Sequence, residues 1–309
     1  MSWLGVLGRH ATKFLAASVF LALALPDLAS LMRPLLAPSV WGILVLAMLR
    51  TDWQVFGGHL KNPHRIVASL AWLLLACPLA IWLTLKALGL DLDGVGGALV
   101  LMVTAPPLMS TPALALIIGL DSALALVVML AAMFFAPLVL PVMILGLLGL
   151  EIELSLWEFA GRLIFVVGSA LLAALVLRRW KHFPPVAAVS RNANGLVVIL
   201  MLIFAIAIMD GVTTRLLAEP LYVAALLALS FIVQALLQTL TALGFLWLGR
   251  RAAFTVGFLA GNRNMGLLLV VLPAGLHPDI ALYFAMAQFP IYILPALLKP
   301  LYGRLLPVK

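Results

Sequence analysis

Charged side chains are scarce in this chain. Lys, Arg, Asp and Glu together make up 10% of its 309 residues, whereas a typical soluble protein has about 25%. The sequence has one cysteine, Cys77, so no disulfide framework can form within the chain. All five histidines fall in predicted loops or termini, which argues against a histidine metal site or a histidine proton relay inside a membrane.

Apolar residues dominate instead. They form 65% of the sequence, against roughly 45–50% in soluble domains, and the mean hydropathy is +1.23. This composition excludes a soluble enzyme, a disordered protein and a nucleic-acid-binding module, because such a chain needs lipid as its solvent. We therefore expect an all-α polytopic membrane protein whose partners include membrane lipid and no nucleic acid.

Ten apolar segments approach the length of about 20 residues that a membrane-spanning helix needs. We predict them at 14–31, 35–49, 66–85, 96–118, 122–149, 156–177, 193–209, 221–248, 252–274 and 279–298. The second segment is short, and it could extend past Arg50 or back through Pro34. Split at about residue 150, the chain gives two halves of five spans, 1–150 and 151–309. An odd number of spans inverts the second half relative to the first, which is typical of secondary transporters.

The basic residues predict the orientation. With the N-terminus inside, most of the 19 lysines and arginines fall in cytoplasmic loops, and only Arg33, Lys86 and Arg215 fall outside. Arg162 and Arg263 lie within segments. This positive-inside bias predicts a multi-pass protein of the plasma (inner) membrane with both termini in the cytoplasm, and it accounts for the net charge of +8 without nucleic acid.

The fourth segment cannot form an uninterrupted helix. It contains Pro106, Pro107 and Pro112, with Ser110 and Thr111 between them. Each proline lacks a backbone donor and clashes with the preceding helical turn. The carbonyls that are freed need partners that lipid cannot provide. We expect this break to be buried in protein or to line a watery cavity.

The ninth segment has a matching interruption. It contains Gly261, Asn262, Arg263, Asn264 and Gly266, which are poor residues for a helix interior or a lipid-facing surface. Both breaks occupy the fourth span of their half, as an inverted repeat requires. Paired broken helices are the best sequence indication of a transporter's binding site.

Arg263 is the most informative of these residues. A helical path from Arg251 puts it ~18 Å from the cytoplasmic edge, inside a hydrocarbon layer ~30 Å thick. A central arginine costs about 2.5–3.5 kcal/mol even on the lenient insertion scale, so it must face protein or water. It could bond carbonyls that the breaks free, or it could contact a substrate anion or serve as a fixed cation in transport.

Other polar residues within the spans have more ordinary interpretations. Asp121 suits the N-cap of the fifth helix, with proton coupling or a counter-ion role as the alternative. Gln234 and Gln238 share a helix face and are expected to hydrogen-bond between helices. Gln288 is a candidate for substrate contact in the tenth helix. Cys77 lies in an apolar run and is interpreted as a packing residue.

With these breaks, the chain resembles the bile acid:sodium symporter family over most of its length, most densely from Ala105 to Pro141 and from Phe254 to Leu267. The family's fourth helix breaks at a motif like Cys-Pro-Gly-Gly-x-x-Ser-Asn, whose place is taken here by the segment from Ala105 to Pro112. Its ninth helix shows Glu-x-Gly-x-Gln-Asn-x-Gly-Leu. The segment from Leu259 to Leu267 matches that pattern at Gly261, Asn264, Gly266 and Leu267.

The resemblance implies ten helices in two parts. The third, fourth, fifth, eighth, ninth and tenth would form a core domain in which the broken fourth and ninth helices cross. The first, second, sixth and seventh would form a panel domain beside it. Substrate would bind between panel and core near the crossing, and alternating access would come from one part moving against the other.

The departures from the family concern its sodium sites, which use side-chain oxygens. The positions that would supply them are occupied here by Leu259, Arg263, Thr111-Pro112, Ala125 and Met129. A hard cation needs such oxygens, and a guanidinium nearby repels a second cation. We therefore expect no cofactor, and we disfavour sodium although the resemblance allows it.

These observations predict a secondary transporter of a small organic anion or amphipath, not an enzyme. The alternative is a non-transporting membrane sensor or scaffold that retains the fold. The candidate site comprises Arg263, Asn264, Asn262, Ser110, Thr111 and Gln288, together with the residues of the breaks and Asp121.

Overall fold

The computed structural model describes residues 11–50, 63–149, 155–179, 186–273 and 277–306. These residues are mostly helical and form no β-strand. The helices, in chain order, are α1 Ala11–Ala24, α2 Pro26–Leu49, α3 Pro63–Ala87, α4 Val95–Thr104, α5 Thr111–Ile117, α6 Ser122–Leu148, α7 Leu156–Arg179, α8 Val186–Ala207, α9 Val212–Ala218, α10 Pro220–Gly244, α11 Arg250–Gly261, α12 Met265–Val271, α13 Pro278–Met286 and α14 Gln288–Leu305. Two predictions concern residues that lie outside these ranges: the cytoplasmic location of both chain ends, and the junction of the two halves at residues 150 and 151.

Seven helical stretches in the described part are long and apolar enough to cross a membrane. They are α2, α3, α6, α7, the stretch Gly195–Ala218, α10, and the stretch Pro278–Leu305. This confirms the all-α prediction for the described residues and indicates a membrane-embedded protein. The other three predicted segments have a different form: the first is α1, of 14 residues, and the fourth and ninth are each divided into two short helices.

The boundary between the first two segments differs from the prediction. The chain turns at Leu25, and α2 begins at Pro26, a position where a missing N–H costs nothing. The helix then continues through a 3-10 turn at Arg33–Leu35 instead of ending there. The second span therefore extends back through Pro34, the alternative that its short length had left open.

The chain divides into two compact units. Unit 1 comprises Met1–Thr51 and Ile164–Leu226, and unit 2 comprises Asp52–Leu163 and Leu227–Lys309. Each unit therefore combines two separate segments of the chain. Of the three boundaries between the units, one falls inside α7, one falls inside α10, and the one between Thr51 and Asp52 lies outside the described residues.

In unit 1, α8 packs against α1 and α2. Polar contacts also join α7 to the middle and to the end of α2. Trp41 Nε1 donates to Ser169 Oγ at 3.0 Å, and the Arg178 guanidinium donates twice to the Leu49 carbonyl, at 2.7 and 3.2 Å. Arg178 therefore supplies donors to the end of α2, where carbonyls have no intrahelical partner.

In unit 2, the interrupted helices lie at the centre. Nearly all of α4 is buried, and so is α11 from Ala252 onward except for Phe254. Around them, α6 packs against α3, α4, α5 and α11, and α13 packs against α4. The breaks are thus enclosed by protein, as backbone with unpaired polar groups requires in lipid.

Candidate functional site

The first break follows directly from its prolines. The α4 helix ends at Thr104, and Ala105 adopts an extended conformation with φ −56° and ψ 144°, because a residue before proline is disfavoured in the helical region. Pro106 and Pro107 cannot donate to the preceding turn. The chain becomes helical again at Thr111, with Pro112 in the first turn, where a proline is tolerated.

The second break is made by asparagines and glycine. The α11 helix ends at Gly261, and Asn262 leaves the helical region with φ −110° and ψ 89°. Asn264 is the N-cap of α12, and its side-chain oxygen accepts from the Leu267 amide at 3.2 Å. Asparagine is among the preferred N-cap residues, so the second half-helix restarts where its sequence favours it.

The two breaks pair with each other. Pro107 and Arg263 form an antiparallel β-bridge. The Leu108 amide donates to the Asn262 carbonyl at 2.9 Å, and the Asn264 amide donates to the Pro106 carbonyl at 2.8 Å. We call residues 105–108 and 261–264 the crossing. Each break supplies the hydrogen-bond partners that the other lacks, so neither needs water at these groups.

Arg263 binds the crossing to a third helix. Its side chain is 1% exposed. Nε donates to the Ala260 carbonyl at 2.8 Å, and Nη1 donates to the carbonyls of Leu73 and Ala105, both at 3.0 Å. Nη2 contacts Cys77 Sγ at 3.7 Å. One guanidinium therefore connects α3, the end of α4 and the end of α11.

The Leu73 carbonyl is available because of the local geometry of α3. Residues Trp72–Ala76 form a π-helical turn, in which the Cys77 amide donates to the Trp72 carbonyl. With the same spacing, the next donor would be residue 78, and it would donate to Leu73. Residue 78 is proline and has no N–H, so the Leu73 carbonyl is left for Arg263.

The charge of Arg263 is balanced by dipoles. Within the described ranges, no carboxylate forms an ion pair with it. Carbonyl oxygens and a thiol sulfur surround the guanidinium. The part of the chain that is described also contains no group of three or more His, Cys, Asp or Glu side chains placed to hold a metal ion. The centre of unit 2 thus holds a positive charge that belongs to the protein.

The structure brings six of the predicted site residues together at the crossing: Pro106, Pro107, Gly261, Asn262, Arg263 and Asn264. Gly266 is buried nearby, in the first turn of α12. The Asn262 side chain donates to the Phe258 carbonyl at 2.8 Å, so it stabilises the end of its own helix.

The remaining predicted residues serve local structure. Thr111 Oγ1 donates to the Leu108 carbonyl, while Ser110 Oγ is buried with no hydrogen-bond partner among the described residues. Gln288 donates to the Phe284 carbonyl at 3.0 Å, one turn back in its own chain. Asp121 caps α6 by accepting from the Leu124 amide at 2.9 Å, and its own amide donates to Thr255 Oγ1 at 3.0 Å.

Sequence reasoning missed two contributions to this centre. Cys77, interpreted as packing alone, contacts the guanidinium, and Pro78 exposes the carbonyl that the guanidinium uses. The signal was present, since a proline inside a predicted span marks a freed carbonyl. The sequence did not show which carbonyl of α3 Pro78 leaves without a donor, because that depends on whether the preceding turn is α-helical or π-helical.

Comparison with models of known protein families and with curated protein sequences gave no match. The resemblance to the bile acid:sodium symporter family therefore depends on the residues of this sequence alone, chiefly those from Ala105 to Pro141 and from Phe254 to Leu267.

Proposed function

We propose that this protein is a secondary transporter of a small organic anion or amphipath, a divergent member of the bile acid:sodium symporter family that works by alternating access without the family's sodium sites. It would lie in the plasma membrane with both termini in the cytoplasm. Ten spans would form two inverted repeats, 1–150 and 151–309, with the breaks in the fourth span of each.

The observation that carries this proposal is the bridge between Pro107 and Arg263. Non-helical backbone at membrane depth occurs where it is buried in protein or lines a cavity, and paired discontinuous helices are the usual core of a transporter site. A protein that needed only to cross the membrane would gain nothing from two interrupted spans in matching positions.

The division into units also supports the proposal. Unit 1 contains most of the residues that the resemblance assigns to the panel, and unit 2 contains most of those it assigns to the core, with the sixth and eighth segments each divided between the units. The crossing lies wholly within unit 2. We propose that the two units are the parts that move in the transport cycle.

The surroundings of Arg263 support the absence of sodium coupling. The carbonyl oxygens of Leu73, Ala105 and Ala260, which are hard ligands of the kind a small cation prefers, already accept from the guanidinium. Leu259, at the family's glutamate position, is buried and has no side-chain oxygen. A fixed charge here would also repel an incoming cation.

Uptake by proteoliposomes tests the function. Purified protein is first screened for thermal stabilisation by a panel of carboxylates and sulfonates of increasing size, because a ligand of the native state raises its apparent stability. The best ligand is then assayed for saturable uptake in sodium, potassium and choline buffers. We expect equal uptake in all three, and a large loss on removing sodium would refute sodium-independent transport.

An arginine variant and its control complete this test. We expect Arg263→Ala to insert into the membrane and to lose uptake, whereas Arg304→Ala, which removes an exposed arginine near the end of α14, should transport as wild type does. Wild-type uptake by Arg263→Ala would show that the guanidinium is not part of transport. Binding without flux in wild type would favour the alternative function, a sensor or scaffold that retains the fold.

A further inference from the structure

A row of polar side chains follows one face of α10 where that helix belongs to unit 2. The residues are Ser230, Gln234, Gln238 and Thr241, spaced by four, four and three positions, so they lie on one face. Each of the four is at least 95% buried. On an otherwise apolar helix this row faces protein, where each polar atom needs a partner.

Two members of the row serve a break in another helix. Between α13 and α14 the chain passes through Ala287, and Pro290 cannot donate to the Met286 carbonyl. Ser230 Oγ donates to the Leu227 carbonyl of its own helix at 2.7 Å and also approaches the Met286 carbonyl at 3.3 Å, and Gln234 Nε2 donates to the Ala287 carbonyl at 2.9 Å.

The far end of the row is paired as well. Thr241 Oγ1 accepts from the Trp72 indole nitrogen at 2.9 Å. Three of the four side chains in the row thus have partners on other helices.

The middle of the row is different. Gln234 Oε1 and both amide atoms of Gln238, Oε1 and Nε2, are buried and have no hydrogen-bond partner among the described residues. Because the Gln234 nitrogen is held by Ala287, its oxygen must point away from that carbonyl. Two acceptors and one NH₂ donor therefore come from side chains one turn apart on the same face.

These atoms lie against the glycine face of α11. A Cβ atom added at Gly261 would lie 2.7 Å from Gln238 Nε2 and 2.9 Å from the Gln234 carbonyl oxygen. Gly261 is the last residue of α11, and Arg263 follows two positions later in the crossing. The unpartnered amides are therefore beside the end of the half-helix that carries the fixed charge.

The chemistry of the three atoms selects the molecule that could satisfy them. An anion would meet two carbonyl oxygens, and a cation would meet an NH₂ group close to the Arg263 charge. A water molecule can donate to both oxygens and accept from the nitrogen, and buried waters typically make about three hydrogen bonds. We infer that an internal water molecule binds between the carboxamides of Gln234 and Gln238, beside the end of α11.

The inference is independent of the transport proposal, because it concerns only how unit 2 satisfies its buried polar groups. It extends the pattern seen at the crossing, where freed backbone groups are paired by protein. At Gln238 the partner would be a water molecule.

A cryo-electron microscopy map of the full-length wild-type protein in nanodiscs, at a resolution that shows ordered water, tests the site. We expect one peak within about 2.7–3.2 Å of both carboxamides. In Gln238→Met, which keeps the length of the side chain and removes its amide, the peak should disappear. Gln288→Met, which removes a glutamine bonded to its own chain, should leave it in place.

Two results would overturn the inference. The first is a wild-type map in which the carboxamides bond to each other or to the backbone and no peak separates them. The second is a peak with ligand distances near 2.4 Å that disappears from a sodium-free sample, since such distances indicate a metal ion. If Gln238→Met does not fold, Gln238→Leu replaces it, and the wild-type map alone decides whether the water is present.

Discussion

Pro107 and Arg263 lie opposite each other in an antiparallel bridge, flanked by hydrogen bonds of 2.8 and 2.9 Å that join the two interrupted helices. The Arg263 side chain then turns back to the carbonyls on either side of the bridge and to α3. The backbone bridge and the hydrogen bonds of the Arg263 side chain thus hold the two interrupted helices together at the same point. The crossing is therefore a structural joint as well as the candidate site, and the two roles need experiments that separate them.

Free guanidinium should restore a protein that lacks the Arg263 side chain. Arg263→Gly leaves three buried carbonyl oxygens without donors, each at a cost of about 1–3 kcal/mol. Methylguanidinium offers the same planar set of N–H donors. In thermal unfolding, we expect millimolar methylguanidinium to raise the Tm of Arg263→Gly in a saturable way.

Wild-type protein is the control for this experiment, because its acceptors are already occupied. It should show no increase, and sodium chloride at the same ionic strength should stabilise neither protein. An equal response of the variant and wild type would mean that the carbonyls do not form a binding site for the guanidinium group.

Pro78 and Arg263 should be energetically coupled. Pro78→Ala adds an amide that can donate to the Leu73 carbonyl, which matters most when Arg263 no longer does so. We expect Pro78→Ala to be more favourable in an Arg263→Met background than in wild type by at least about 0.5 kcal/mol. Unfolding free energies of the four proteins in the cycle give this value.

Pro137→Ala is a suitable comparison for that cycle. It also removes a proline from a helix interior in unit 2, and no described hydrogen bond of Arg263 involves its surroundings. Its effect should add to that of Arg263→Met within error. Coupling of the same size for both prolines would mean that the π-helical turn does not link Pro78 to the guanidinium.

Gly257 should be the least replaceable glycine of α11. A Cβ atom there would meet the Gln238 carbonyl oxygen and would lie 3.2 Å from the Ala242 amide nitrogen. Gly257→Ala therefore requires α10 and α11 to separate, and overpacking of this kind costs about 1–3 kcal/mol. Thermal unfolding in detergent measures the loss.

Gly146→Ala provides the matched change in open space. Gly146 lies inside α6, and a Cβ atom at that position meets nothing within 4 Å. It should raise stability by roughly 0.5–1 kcal/mol, because alanine loses less backbone entropy in a helix than glycine does. If both substitutions gave the same change, the close approach of α10 and α11 would not be required.

Asp121 should act as a helix cap and not as a proton carrier. Asparagine also caps helices well, whereas alanine does not, and losing a cap costs about 0.5–2 kcal/mol. We expect Asp121→Ala to lower the Tm and Asp121→Asn to keep both the wild-type Tm and the wild-type uptake. An Asn variant that is stable but has lost uptake, or its pH dependence, would assign the carboxylate to proton coupling.

The interruptions were predictable because their causes are local. Pro106 and Pro107 end a helix wherever they occur, and the stretch from Gly261 to Gly266 has low helix propensity in any setting. The burial of Arg263 followed from its depth along the chain and from the cost of a charge in lipid. Of the two interpretations that the sequence left open for Arg263, the bonds to the Ala105 and Ala260 carbonyls fit the one in which the side chain binds carbonyls freed by the breaks.

The partners of these groups were less predictable, because they depend on how helices pack. Gln238 shares a face with Gln234, as periodicity indicates, yet only Gln234 reaches a carbonyl on another helix. The first boundary was misplaced for a similar reason. Arg33 and Pro34 are typical of a loop, but a 3-10 turn carries the helix through them and the chain turns at Leu25.

Cys77 gives the unmodified protein a built-in reporter. It is the chain's only cysteine, and its sulfur lies 3.7 Å from the Arg263 guanidinium with the residue 1% exposed. A maleimide or a methanethiosulfonate reagent can reach it only when α3 and the crossing separate. The labelling rate of wild-type protein thus measures how often this joint opens, with no engineered mutation and no background from other thiols.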